Sequence, residues 1–297
     1  MDSNPVWKRR EFLAGAALAG LSACQTTPKL ILGSKDSVES RLISEIVGQL
    51  LETKLKARLD RRMGLMGSTV PYQSMQGGDM DVYPEYTRVA FKLLLKAQEQ
   101  ADSGLMLEVM QRGFQTNAQA SCLPFLGFDN SYTAVVLSDN MNFMSMSTLS
   151  QACSVKGGWR LGCTSDFAQS GEGYAELKLN YKLEERNGTR LEPINQLFFG
   201  LRERRIDILI TGSTDPRLND SRYKILADDL NVFSPNRCTL VYRNDAARKY
   251  PSILPVLQSL SGKFTSESMQ KLNGEVEIQK RGFAEVATEW LKREKLV

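Results

Sequence analysis

Residues 30–51 read LILGSKDSVESRLISEIVGQLL. Leu30-Ile31-Leu32-Gly33-Ser34 is a strand-like run, and Lys35 and Asp36 follow it as a polar turn. Val38, Leu42, Ile43, Ile46, Val47, Leu50 and Leu51 then fall on one stripe of 3.6-residue period, in a helical pattern that runs on to Leu59. Asp36 with Glu39 three residues later fits a capping box at the helix start. This strand-then-helix order constrains the chain most because it recurs. Further strands are predicted over 133–137, 159–163, 206–210, 223–226 and 239–242, and helices over 104–116, 148–155, 194–204, 253–260, 266–273 and 283–294. Such an order commits the chain to the α/β class, with parallel or mixed sheets and helices on both faces.

Open α/β sheets bind ligands at the carboxyl ends of their strands, which makes the residues just after each predicted strand the candidates for a site. Lys35 and Asp36 follow the first, and Thr69 follows Met66-Gly67-Ser68. The stretch GGDMDVYPEYTR over 77–88 sets Tyr83, Glu85, Tyr86 and Thr87 after Asp81-Val82, with Pro84 ruling out a helix. Asp129, Asn130 and Tyr132 lie in GFDNSY; Thr164, Ser165 and Asp166 follow WRLGC; Ser213, Thr214 and Asp215 follow RIDILITG. Singly, Asp36, Thr69, Thr164 and Asp215 read equally as helix caps or turn residues, and Tyr83 or Tyr86 as core-edge aromatics. The clusters together predict a polar and aromatic cleft.

Composition narrows the function. A chain of 297 residues can bury one large core or two modest ones, and 42% apolar with 24% charged residues is ordinary for a globular protein. The net charge of +4 is spread along the chain, with no basic run carrying interleaved aromatics, so no nucleic-acid partner is expected. There is no histidine, which removes Ser-His-Asp and Cys-His pairs and histidine zinc sites. No G-x-G-x-x-G, metal-ligand spacing or nucleophile–base pair is found, so neither catalysis nor a cofactor is expected. An exported enzyme with a Cys or Ser nucleophile activated by Lys35 is the contrary reading.

The N-terminus reads as an address: Lys8-Arg9-Arg10, then Phe12-Leu13, then Ala, Gly and Leu. Its apolar run falls short of the ~20 residues that span a bilayer. The arginines resemble a twin-arginine export signal or form a plain basic region, and Leu21-Ser22-Ala23-Cys24 resembles a bacterial lipobox in which Cys24 becomes lipidated. Residues 1–23 are then a signal peptide and 24–29 a tether, and the mature chain is a membrane-anchored lipoprotein in the periplasm or at the cell surface. A plain cleavable signal with a chance Cys is the alternative. Cys122, Cys153, Cys163 and Cys238 allow three disulfide connectivities, and free thiols remain equally open.

Nearly all of the mature chain resembles the substrate-binding proteins of ABC importers for osmoprotectants, the glycine betaine, choline and carnitine group. ILGSKDSVESRLISEIVGQLLE is similar to that family's G-S-K-N-F-T-E-Q followed by an apolar helix, and MGSTVPYQSMQGGDMDVYPEYT to its L-G-G-T…G-E-I-D-V-Y-P-E-Y-T. GFDNSYTAVV, GCTSDFAQSGEG, RIDILITGSTDPRL and LSGKFTSESMQKLNGEVE match later family segments in the same order.

The resemblance implies a two-lobed periplasmic-binding-protein fold of type II with a ligand cleft between the lobes. Residues 30–132 plus 239–297 would form lobe 1, and 133–238 lobe 2. It implies a monomer that binds a small-molecule solute and hands it to an ABC permease, with Tyr86 and Tyr132 offering ring faces to a quaternary ammonium held by cation–π attraction. The departures gather in the cleft. Gly212 and Asn236 stand where the family commonly has rings, Arg88-Val89 replaces Gly-Thr, Ser40 replaces Gln, and Ser170 replaces a basic residue. A more polar ligand is therefore also expected, bound by Tyr86, Asp129, Asn130, Tyr132, Thr164, Asp166, Ser213 and Arg237, although Asn236 and Arg237 read equally as a solvated turn. An orphan binding protein acting as a sensor or partner module is the alternative function.

Overall fold

The computed structural model describes residues 27–96, 103–169 and 173–297. The predicted signal, Cys24 and Ser170 lie outside these residues. Strands β1 (Lys29–Lys35), β2 (Arg58–Leu65), β3 (Val82–Tyr86), β4 (Ala120–Cys122) and β10 (Cys238–Arg243) form one sheet in the order β2-β1-β3-β10-β4. Strands β5 (Tyr132–Leu137), β6 (Leu161–Cys163), β7 (Arg190–Leu191), β8 (Ile208–Gly212) and β9 (Tyr223–Leu226) form the other, in the order β7-β6-β8-β5-β9. Both sheets are mixed: β1 runs parallel to β2 and β3, β6 parallel to β7 and β8, and β10 and β5 antiparallel to their neighbours.

The helices are α1 (Val38–Leu55), α2 (Thr69–Gly77), a single turn α3 (Thr87–Val89), α4 (Ser103–Ala118), α5 (Leu149–Cys153), α6 (Ser165–Gln169), α7 (Tyr174–Tyr181), α8 (Ile194–Arg202), α9 (Asn244–Lys249), α10 (Ile253–Gln258), α11 (Ser266–Glu277) and α12 (Phe283–Arg293). Side chains on a strand alternate between its faces, and the cores follow that alternation. Leu30, Leu32, Val82 and Leu240 pack with the α1 stripe and with α10, α11 and α12, whereas Tyr83 and Val241 pack on the other face with α2 and α4. In the second sheet Ala134, Val136, Ile208 and Ile210 face α5, α6 and α7, while Val135, Leu137 and Leu209 face α8. No helix among the described residues is long and apolar enough to cross a membrane.

Two local expectations, both at α1, need correcting. The N-cap of α1 is Ser37, whose hydroxyl accepts from the Ser40 amide, so Asp36 and Glu39 form no capping box. The helical pattern stops at Leu55, where Lys56 turns left-handed (φ 54°) and releases the chain into β2. Pro84 lies inside a strand: β3 pairs with β1 only at Val82, so the absent N–H of Pro84 interrupts no ladder bond on that side. The four described cysteines are free thiols.

The chain passes between the sheets twice, and the two passages are tied together. Asn130 N donates to Asn236 O (3.0 Å), Asn236 N to Asp129 Oδ1 (2.9 Å) and Asn236 Nδ2 to Asn130 O (3.1 Å).

Candidate functional site

The carboxyl ends of β1, β3 and β8 open on a common cleft of about 640 Å³. Lys35, Asp36, Glu39 and Tyr86 line it from the first sheet and α1, Asn273 and Glu277 from α11, Thr211, Gly212, Thr214 and Asp215 from β8 and the turn after it, Asp166 from α6, and Asn130 and Asn236 from the passages.

Its floor is a network of buried polar groups. Lys35 pairs with Glu85, whose side chain is fully buried, and Glu85 also accepts from Tyr83 Oη (3.2 Å) and Tyr86 N (2.7 Å). The Lys35 ammonium lies 5.3 Å from the centroid of the Tyr86 ring. Glu39 accepts at Oε1 from Tyr86 Oη (2.7 Å) and Asn130 Nδ2 (3.1 Å), and at Oε2 from Asn273 Nδ2 (2.9 Å). Burial, with the Glu39 carboxylate against it, holds the Tyr86 hydroxyl well above its usual range, so Tyr86 is a donor here. Tyr86 is thus less a free ring than the post that fixes Glu39.

Tyr132 has a different setting. It meets Phe167 and Phe233 edge to face at 4.7 and 6.1 Å, and its ring lies 3.9 Å from the Arg88 guanidinium. Arg88 is placed by its own amide, which donates to Asn236 Oδ1 at 3.3 Å.

Of the residues expected from sequence, Lys35, Asp36, Tyr86, Asn130, Asp166, Thr214 and Asp215 line the cleft. The others have local tasks. Thr69 is exposed at the start of α2. Thr164 accepts from the Phe167 amide (3.3 Å) as a cap for α6. Asp129 and Ser213 tie the passages: Asp129 O accepts from the hydroxyls of Ser213 (2.9 Å) and Ser266 (2.8 Å), and Ser213 O accepts from Gln270 Nε2 (2.6 Å). Arg237 contributes its backbone to the Thr87 amide, while its guanidinium lies 5.8 Å from the Phe125 ring.

Glu39, Asn273 and Glu277 were missed. Glu39 reads as a cap, and Asn273 stands 234 residues away on the buried face of α11, with no local signal. Glu277 takes Arg217 at 2.6 Å, and Arg217 also pairs with Asp215 at 2.7 Å, so one guanidinium joins α11 to the turn after β8. A Cβ at Gly212 would lie 2.4 Å from Asn130 Oδ1, so a side chain there has to displace the Asn130 amide. Among the described residues no cluster fit to hold a metal ion is present.

Two mixed sheets joined by two short passages, with a cleft at their carboxyl edges, is the build of a two-lobed binding protein. The model of the substrate binding domain of the ABC-type glycine betaine transport system matches residues 28–293. The chain belongs to that family. It is a family of solute-binding domains rather than of enzymes.

The carnitine transport binding protein OpuCC of Listeria monocytogenes is 26% identical over 286 residues, covering 95% of this chain and 92% of that one. The ergothioneine transport permease/ergothioneine binding protein EgtU of Helicobacter pylori is 26% identical over 265 residues. That match covers 89% of this chain and only 47% of the relative, so this chain spans about half of EgtU. A solved glycine betaine/carnitine/choline ABC transporter structure superposes with a TM-score of 0.79 at 25% identity, covering 90% of this chain and 99% of its own. The fold is the type II periplasmic-binding arrangement of two lobes.

Proposed function

We propose that the chain is the extracytoplasmic receptor of an ABC importer, taking a small zwitterionic or quaternary-ammonium osmolyte, or a more polar relative, and delivering it to a membrane permease. Lobe 1 is residues 30–132 plus 239–297, and lobe 2 is residues 133–238. The chain acts as a monomer, held at the membrane through lipidated Cys24.

The observation that carries this reading is the cleft, which draws its lining from the strand exits of both sheets. A solute touching both walls stabilises the closed arrangement more than the open one, and a partner that recognises the closed form then reads occupancy. Family membership and the resemblance to OpuCC over nearly its whole length support the same role.

The test is a thermal-shift screen of the purified chain with glycine betaine, carnitine, choline, proline betaine, polar amino acids, amines and organic acids. A true ligand at 100 times its dissociation constant stabilises by about 2.7 kcal/mol and raises the melting temperature measurably. If no member of the panel shifts the melt, the receptor reading falls.

A further inference from the structure

Three buried side-chain atoms have no hydrogen-bond partner among the described protein atoms: Asn273 Oδ1 in the lining of the cleft, and Nε and Nη2 of Arg88, which lies behind the lining residues Val89 and Asn236. Such orphans are rare in native proteins and call for an explanation.

The Asn273 amide cannot be reversed, because its Nδ2 faces two acceptors, Glu39 Oε2 at 2.9 Å and Thr214 O at 3.1 Å. Its orphan is therefore an acceptor, and it sits beside a carboxylate whose three donors, Tyr86, Asn130 and Asn273, are all neutral. Glu39 and Asn273 both line the cleft. This end asks for a positive group that can donate hydrogen bonds. Arg88 asks for the opposite: its guanidinium rests on Tyr132 with two N–H positions unanswered. A pair of asparagines links the two ends, since Asn130 donates to Glu39, Asn236 donates to Asn130 O, and the Arg88 amide donates to Asn236.

The ring faces that would receive a quaternary ammonium already hold the chain's own cations. Arg88 is 3.9 Å from the Tyr132 centroid, and Lys35 is 5.3 Å from that of Tyr86. A quaternary ammonium also has no N–H to give Asn273 Oδ1 or Glu39.

We infer that the cleft selects a zwitterion carrying a primary or secondary ammonium and a carboxylate, the ammonium donating to Glu39 and Asn273 and the carboxylate accepting from Arg88. The inference rests on the cleft being the solute site. A site built to hydrogen-bond a ligand N–H strongly rejects the analogue that lacks it, because the buried acceptors stay unpaired.

Calorimetry on the purified chain with two methylation series tests this. Glycine, N-methylglycine, N,N-dimethylglycine and glycine betaine form one; L-proline, N-methylproline and proline betaine form the other. The carboxylate is constant in each, and N–H groups are removed stepwise. The expected result is that the fully methylated member binds at least tenfold more weakly than the tightest member of its series. If glycine betaine or proline betaine binds tightest, this inference is overturned and the receptor reading stands; if no member of either series binds, this inference falls and the wider panel alone decides the receptor reading.

Arg88→Met is expected to weaken the tightest binder at least tenfold, with Arg88→Lys recovering part of the loss. Unchanged affinity in Arg88→Met overturns the role given to Arg88. Because this substitution removes an unanswered buried cation, the melting temperature of the free variant should not fall, which separates lost binding from lost folding.

Discussion

Both sheets place a carboxylate at the entry of a parallel strand, where it takes an amide from the neighbouring strand. Asp81, just before β3, accepts from Ile31 N of β1 at 2.7 Å, and Asp207, just before β8, accepts from Arg160 N beside β6 at 2.9 Å. The geometry is shared and the electrostatics are opposed. Burial lifts Asp81 above the usual carboxylate range; the Ile31 amide offsets part of this, Asp245 adds to it, and Arg243 and Lys249 offset a little more. Burial also pushes Asp207 up, but the hydrogen bonds and charge of Arg160, with help from Arg186, bring it below the usual range. At the cleft end the lobes exchange parts: β1 and β3 finish in the buried Lys35–Glu85 pair, whereas β8 finishes in Thr211 and Gly212. Charge deep in this protein is therefore no mark of function by itself. The strand end on which it lies separates a group that fastens two strands from one at the cleft.

The largest test of that contrast is Lys35→Met, which leaves Glu85 as a buried, uncompensated carboxylate. It should cost about 3–5 kcal/mol in denaturant unfolding, and the double variant with Glu85→Gln should recover most of this. A cost no greater than that of Asp207→Asn would break the comparison. Asp207→Asn removes charge-assisted hydrogen bonds and should cost about 1.5–3 kcal/mol, read as a lowered denaturation midpoint. Asp81→Asn keeps a carbonyl oxygen for Ile31 and loses only a carboxylate held above its usual range, so its cost should stay under about 1 kcal/mol.

A stability profile against pH supplies the finest distinction. The folded value of Asp207 is depressed, so its contribution is complete above the usual value of ~3.9 and is lost as pH falls through the depressed one. Asp81 is raised, so its contribution is complete below ~3.9 and is lost as pH rises through its folded value. Asp207→Asn should flatten the acid limb of the profile, and Asp81→Asn should steepen it.

Most of the sheet and helix order was legible because strand alternation and the α1 stripe are strong local signals. Strand β2 was not. RLDRRMGL carries no apolar alternation, and it stands at the edge of the sheet with β1 as its one partner. Lys54 and Lys56 before it read as part of a continuing helix, and the left-handed turn at Lys56 has no glycine to announce it. In the site, the rule that strand exits face the ligand found Lys35, Tyr86, Asn130 and Thr214. It could not find partnerships. That Tyr86 spends its hydroxyl on Glu39, or that Arg88 covers Tyr132, depends on contacts 47 and 44 positions apart along the chain, and no periodicity reports them.

Gly212 also ties the two walls of the cleft to each other. Any side chain at this position must first evict the Asn130 amide, 2.4 Å from where a Cβ would stand, and Asn130 is one of the donors that hold Glu39. A ring at 212 therefore has to come with a moved or smaller side chain at 130, and Glu39 then loses one of its three donors. The two positions are coupled: a substitution at 212 is felt at Glu39 through the side chain that lies between them.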